Sequence, residues 1–538
     1  MTVAESPTVS APPLSPPDAD APAEGRGSRS AGAGLTPVAR ALADAAARAR
    51  DDGALYAVYE DAEGGYVGRG ERARVVLTDE GAHVTVGDTT LLLPGQGSPV
   101  PLLRRAVAEV EERLGGDAGP ALGWVGTEWA MRHHGIGRHG GAGTGVGRHG
   151  GADTGAGRHG GARTGAAADA EAHARAGRHG GVDTGAGRHG GVDTGAAADA
   201  EAHARAGAGE DPAAALPLAV LRWPETVERI TADPATVPVA GPDTEGPSTP
   251  GTPDPTADPT PDPTPSPVDV SGGGDAYRAT VTRAVEEIRA GRYEKVIISR
   301  RVTVPGRPDI PATYRAGRAA NSPARSFAFE WPELSAAGFS PEIVVSVDAD
   351  GLVTTEPLAG TRALTGDPEE DRRLHDDLVT DDKEIAEHCL SVRDAMEEVG
   401  SVCDGARVDE FMAVRRRGSV QHLASTVRGR LAGGRDRFDA LGVLFPAVTA
   451  SGIPKREALD AVHRLEPVAR GMYAGAFVVL GADGSLETAL SLRTVYATDR
   501  AAWVQAGAGI VRSSRPEREF TETCEKLGSV APYVVVRG

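Results

Sequence analysis

Glu384 and Glu387 stand three residues apart, and so do Glu519 and Glu522, each pair within a stretch whose apolar spacing predicts a helix. Residues three apart on a helix are surface neighbours, so each pair presents two carboxylates on one side. Four carboxylates brought together from two helices make a hard-oxygen site suited to one Mg²⁺ and the waters it retains. Such a site lets an acidic protein hold a small polyanion.

The helices that must carry these groups do not decide the matter. Around 383–399 the apolar stripe is Ile385, Cys389, Val392, Met396 and Val399, with Glu384 on its flank and Glu387 nearly opposite. Periodicity alone reads Glu387 as solvated. The second helix follows Ser513–Ser514, takes Pro516 in its first turn and is expected to bury Phe520, Cys524 and Leu527. Glu519, Glu522 and Lys526 share a polar stripe. That stripe fits an exposed Glu522–Lys526 ion pair worth a few tenths of a kcal/mol. It also fits a carboxylate pair on a metal with the lysine reaching a substrate anion. The residues leave both open.

Composition divides the 538-residue chain. Residues 1–34 are Pro, Ala, Ser and Gly and read as a disordered leader without the apolar run of a secretory signal. Residues 35–134 read as the N-terminal part of the folded body, with an Ala-rich helix, four strand-like runs and a helix from Pro101 to Leu114. From 135 to 213 a GRHGG-x-x-TG-x unit recurs at ten-residue spacing, and nine of the fourteen histidines fall between His133 and His203. This reads as a duplicated, Gly-rich disordered insertion, since histidines on a flexible chain form no preorganised metal site. Strand signal returns at 214–233, a Pro/Thr-rich loop spans 234–270, and 271–538 is the main folded unit. That unit opens with a helix bearing Tyr277, Val281, Val285 and Ile288, ended by Gly291. Short strands follow, joined by Asp-x-Asp-Gly and Ala-Asp-Gly hairpin turns, with a few long helices between. The design expected is α+β, large antiparallel sheets packed as a β-sandwich with helices on the outside.

A net charge of −19 argues against nucleic acid or an anionic membrane as partner, and no run reaches the ~18 apolar residues of a membrane span. Cys389, Cys403 and Cys524, odd in number and far apart, suggest reduced thiols of a cytoplasmic protein, each expected to be a small buried residue.

Nine ordered strings carry a family resemblance: GFSPEIV (338–344), PLAGTR (357–362), DDKEIAEH (381–388), RRRGSVQHLAST (415–426), FPAVTASGIPK (445–455), GMYAGA (471–476), ALSLRT (489–494), AGAGIV (506–511) and PEREFTETCEKL (516–527). The chain resembles the chorismate-binding enzymes, among them the anthranilate, aminodeoxychorismate, isochorismate and salicylate synthases. The likeness covers 275–538 and extends weakly to 35–134 and 214–232. It implies Mg²⁺ as cofactor, with Glu387 and Glu522 as direct ligands and Glu384 and Glu519 acting through waters. It implies chorismate as the partner molecule and a monomeric enzyme.

The resemblance also assigns roles. Lys295, in YEKVIISR, stands where water-using members carry a lysine and ammonia-using anthranilate synthases carry glutamine. It would be the general base on water, and Glu342 the general acid, its pKa raised by burial. Ala359 stands where aminodeoxychorismate synthases carry a lysine, which argues against that subtype. Arg493 and Tyr473 match the clamp on the enolpyruvyl carboxylate, with Gly507 and Gly509 allowing close backbone approach. Gly360, Thr361 and Thr449 would line the ring pocket, Lys526 would lie near the metal carboxylates, and His422 matches an active-site histidine. VTASGIPK and ETCEKL look most like the salicylate synthases of siderophore pathways. An isochorismate synthase is the alternative, and an anthranilate synthase component I-like enzyme a more distant one.

Overall fold

The computed structural model describes residues 35–115, 118–137, 211–231, 237–238, 268–417 and 420–537. The 1–34 leader, nearly all of the repeat stretch and nearly all of the Pro/Thr-rich loop lie outside them.

Short runs of Val, Ile, Ala and aromatic residues form strands because branched and flat side chains pack well on a pleated surface. One sheet of ten strands runs in the order Gly452–Ile453, Lys295–Thr303, Ala502–Ile510, Thr494–Ala497, Ser335–Ser340, Arg325–Glu330, Tyr56–Glu60, Gly64–Arg69, Thr226–Thr231 and Val237–Pro238. A second sheet of twelve begins Leu358–Ala363, Val420–Leu431, Leu352–Thr355, Ile343–Val347, Leu486–Leu490, Ala476–Leu480 and Ala121–Val125. The long strand Cys403–Arg417 pairs with Val420–Leu431 off this path. The pairings that flank the site are antiparallel.

The sheets meet face to face through aromatic side chains. Phe477 of the second sheet stacks on Tyr59 and Phe327 of the first, ring centroids 5.5 and 5.0 Å apart. Two chain segments pass side by side from one sheet to the other. Ser335–Ser340 leaves the first sheet and becomes Ile343–Val347 in the second, while Leu486–Leu490 returns to the first as Thr494–Ala497. The crossing segments are stitched by Leu490 N–H donating to the Glu342 carbonyl (3.0 Å) and Phe339 N–H donating to the Arg493 carbonyl (3.2 Å). Strands that switch sheets make the corners of such sandwiches, and the break frees their side chains from the ladder.

Helices cover the outside. Asp382–Val402 lies on Leu358–Ala363 and Val420–Leu431, and Pro516–Leu527 lies on Ala502–Ile510 and the helix Gly274–Arg289. The expectation of few helices in 271–538 fails: seven α-helices are present among its described residues. Those the sequence reading passed over include Ile310–Ala320, Pro368–Thr380, Arg437–Leu444 and Lys455–Leu465. Strands Gly64–Arg69, Ser335–Ser340 and Leu358–Ala363 were also not anticipated, their Gly, Ala and Ser content hiding the alternation. The run 486–496, which alternates like a single strand, is interrupted at Ser491–Arg493, where it changes sheet. Gly291 follows its helix at φ +75°, as a helix-ending glycine should.

The buried faces of both carboxylate helices are rotated from the apolar stripes. Asp382–Val402 buries His388, Ser391, Val392, Ala395, Val399 and Val402, and leaves Cys389 exposed. Pro516–Leu527 buries Glu519, Thr523 and Leu527, with Cys524 only half-buried. Of the three free cysteines, Cys403 alone is buried. Polar residues take the inner faces where they find partners: His388 Nε2 lies 2.7 Å from Ser425 Oγ, and Thr523 Oγ1 accepts from Arg300 Nε at 2.8 Å.

Candidate active site

Lys295 opens its strand beside the edge pair Gly452–Ile453, with Ala502–Ile510 on its other side. Its side chain is almost wholly buried, and its Nζ lies 2.6 Å from Glu387 Oε1. The glycines across the ladder make this possible. A Cβ on Gly509 would come 3.3 Å from Lys295 Cε and 3.4 Å from Glu387 Oε1. One on Gly507 would meet the Ile298 carbonyl at 2.8 Å and the Tyr473 hydroxyl at 3.0 Å.

Glu342 occupies the sheet crossing and is 3% exposed. The Thr449 hydroxyl lies 2.9 Å from each of its carboxyl oxygens. Burial pushes its pKa up to about 8, with the Thr449 hydroxyl and Lys295 opposing and Glu356 adding to the rise. At neutral pH this carboxyl keeps its proton, the state a general acid needs. The Lys295 amine, on the first sheet, and the Glu342 carboxyl, at the crossing between the sheets, thus lie within electrostatic range of one another.

A cationic pole sits at the second crossing strand. Arg493 has φ +51° and donates from Nη2 to His422 Nε2 (3.1 Å) and from Nη1 to the Arg417 carbonyl (3.3 Å). Because a guanidinium only donates, His422 Nε2 accepts, and its Nδ1–H points to Thr361 Oγ1 at 2.9 Å. Burial, then Arg493, Lys526 and Arg417, holds His422 well below the usual imidazole range, so the ring is neutral. Burial and Arg417 lower Arg493 to about 10. No carboxylate pairs with Arg493 among the described residues, an arrangement that suits an incoming anion.

Three of the four glutamates hold cations already, Glu387 on Lys295 among them. Arg362 Nη1 lies 3.2 Å from Glu384 Oε1, and Lys526 Nζ lies 2.8 Å from Glu522 Oε1 and 3.0 Å from the Gly507 carbonyl. Burial and neighbouring Glu387 raise Glu384, against Lys383 and Arg362. Burial and neighbouring Glu522 raise Glu519. Although burial pushes Glu387 up, Lys295, Lys383 and Lys526 hold it below its ordinary value. Among the described residues no three acidic, histidine or cysteine side chains converge on one point as metal ligands. The donor set is nevertheless chemically right for a hard divalent cation: all carboxylate, in two pairs, with burial and an adjacent carboxylate disfavouring the charge on one member of each. A dication relieves such repulsion.

Two groups escaped the sequence reading. Arg362, within PLAGTR, donates to Asp377, Asp381 and Glu384 and to the Thr361 carbonyl, tying the Pro368–Thr380 and Asp382–Val402 helices to the strand beneath. Its position within the motif was the available signal. Glu356 reveals itself only through folding, which carries its charge into range of Glu342.

A family model described as chorismate binding enzyme matches residues 174–532. A salicylate synthase of Mycolicibacterium paratuberculosis is 52% identical over 272 residues, 50% of this chain and 60% of that protein. The component 1 anthranilate synthase of Streptomyces coelicolor is 45% identical over 249 residues, 46% of this chain and 48% of that protein. The chain thus matches between about half and three-fifths of the length of these relatives. In three dimensions it is similar to an isochorismate synthase of Bacillus anthracis described as 2,3-dihydroxybenzoate-specific, with TM-score 0.59 at 18% identity over 92% of this chain and 99% of the other. It is also similar to the menaquinone-specific isochorismate synthase of Escherichia coli, with TM-score 0.57 at 17% identity over 89% and 88%. At such identities these last two speak to fold alone.

Proposed function

The chain belongs to the chorismate binding enzymes, and from that premise we propose that it is a Mg²⁺-dependent salicylate synthase, converting chorismate to isochorismate and then to salicylate and pyruvate. The observation that carries the proposal is the buried Lys295 amine within electrostatic range of the buried, proton-bearing Glu342. Ammonia needs no base of this kind. The 52% identity to a salicylate synthase favours that product over released isochorismate.

In the first half-reaction Lys295 takes a proton from the water that adds at C2 of chorismate. Glu342 gives its proton to the C4 hydroxyl, which leaves as water, so one water enters and one departs. Thr449 fixes the direction from which that proton comes. Arg493 and Tyr473 hold the enolpyruvyl carboxylate, with neutral His422 locking the guanidinium and Thr361 locking His422. Gly507 and Gly509 let backbone N–H groups approach that same carboxylate closely. Glu387 and Glu522, helped by Glu384 and Glu519, would hold Mg²⁺, which supplies positive charge to the ring carboxylate when bound. In the second half-reaction hydrogen passes from C2 to the enolpyruvyl methylene carbon as the C3–O bond breaks. The protein need only hold the reactive conformer for this step.

Cytoplasmic location, a monomeric state and a place in siderophore assembly accompany this reading. No helix among the described residues is long and apolar enough to cross a membrane. The test is incubation of the purified chain with chorismate and Mg²⁺, with separation of the products. Salicylate and pyruvate in equal amounts are expected. Isochorismate without pyruvate would select the alternative, and unchanged chorismate would overturn both.

A further inference from the structure

Three segments that carry proposed site residues converge on one buried cation, Arg470. Arg470 is fully buried and donates from Nη2 to the Ile297 carbonyl (2.6 Å), two residues along the strand from Lys295. From Nη1 it donates to the Ala450 carbonyl (3.0 Å), next to Thr449. Its own carbonyl accepts from Tyr473 N–H (3.0 Å), and its guanidinium stands 5.6 Å from the Tyr473 ring centre. Nε and Nη2 also form a fork on Glu466, at 2.9 and 2.6 Å. Glu466 Oε1 in turn accepts from both N–H and hydroxyl of Ser299 (2.7 and 2.9 Å), on the same strand as Lys295. Glu128 closes the assembly by accepting from Arg470 N–H at 2.8 Å.

We propose that Arg470, held by Glu466, is a positioning residue that fixes Lys295, Thr449 and Tyr473 in one frame; this rests on the roles given to those three above. A planar guanidinium with donors in fixed directions suits the task, whereas an ammonium on a flexible stem cannot serve Glu466, Ile297 and Ala450 in the same geometry. A buried ion pair is a weak source of net stability, which leaves geometry as its clearest contribution.

The consequence separates geometry from mere folding. In Arg470→Lys the charge on Glu466 stays balanced, but the grip on Ala450 and Ile297 is lost. Thr449 then drifts from Glu342, and a carboxyl deprived of that donor keeps its proton to higher pH.

The experiment measures chorismate turnover against pH for the wild type, Arg470→Lys, the paired variant Glu466→Gln/Arg470→Met, and Arg464→Met. The last loses an exposed ion pair with Glu287 from the neighbouring helix and serves as control. Expected for Arg470→Lys are a kcat reduced about 100-fold and a KM changed by less than about threefold, since small misplacements act on the chemical step. Its alkaline limb is expected at higher pH, and the control is expected to match the wild type. A folded Arg470→Lys or paired variant with wild-type kcat and pH profile would overturn the proposal. Failure of both to fold while Arg464→Met folds would assign the pair to stability alone and overturn it equally. A wild type that does not consume chorismate would instead sink the functional reading.

Discussion

Glu342 couples chemistry to pH in a way that can be worked through. Its folded pKa, about 8, lies above the ordinary carboxyl value of 4.5. The folded state therefore prefers the neutral form. Stability owed to this group is complete below the ordinary value and is lost as pH rises through about 8. The same titration removes the proton a general acid must give. Turnover should therefore fall as pH passes about 8, and Glu342→Gln should turn over about 10²–10⁴-fold more slowly. The glutamine variant should also lose less melting temperature than wild type between pH 6 and 9, which a pair of thermal scans would check. Equal losses would mean that Glu342 is not the titrating group. The candidacy of Glu342 was legible from GFSPEIV. Its microenvironment was not, because Glu356 and Thr449 reach it only through folding.

Elements position these groups through backbone features that a hydropathy pattern does not record. Helix Asp382–Val402 was readable as a helix, yet its apolar stripe pointed to the wrong face. Partners beneath it, Lys295 from the first sheet for Glu387 and Ser425 from the second for His388 (2.7 Å), turn polar residues inward. Periodicity measures only preference for oil over water, so it misreads a helix whose inner face meets charges. The sheet crossings were hidden for a related reason: 486–496 alternates as one strand, and nothing local announces the change at Arg493. The motifs named the candidate site residues by resemblance, whereas their partners Arg362 and Arg470 emerged from the packing. Gly360, at φ +81°, illustrates a constraint of this scale, since a Cβ there would lie 3.2 Å from Glu384 Oε2. Gly360→Ala should cost about 1–2 kcal/mol for the left-handed backbone, visible as a lower urea midpoint. It should also weaken Mg²⁺ binding in calorimetry by crowding Glu384. An unchanged midpoint would contradict the strain.

At the scale of the molecule, two sandwiched sheets supply opposed walls, and helices on the outside bring acidic pairs to the same pole. The ten-residue repeats interrupt this body between Gly137 and Asp211, and the described chain resumes with firm anchors. Asp211 pairs with Arg301 (2.7 Å) and accepts from Ala469 N–H (2.7 Å), and Ala213 is fully buried. The stretch 135–213 therefore includes, at its end, residues that brace the segment leading to Arg470 and Tyr473. Deleting 138–210 with a short linker should leave chorismate turnover within about threefold of the full chain. Extending the deletion through 216 should lower the melting temperature and the rate together. Loss of activity on the shorter deletion would show that the repeats serve the reaction.

The proposed reaction requires that water, activated beside Lys295, adds to C2 of the ring. Turnover of chorismate in ¹⁸O-labelled water, read by mass spectrometry of the salicylate, puts that step to the test. One labelled oxygen, in the phenolic hydroxyl, is expected, because that oxygen would come from the added water. Salicylate formed without label would contradict the mechanism.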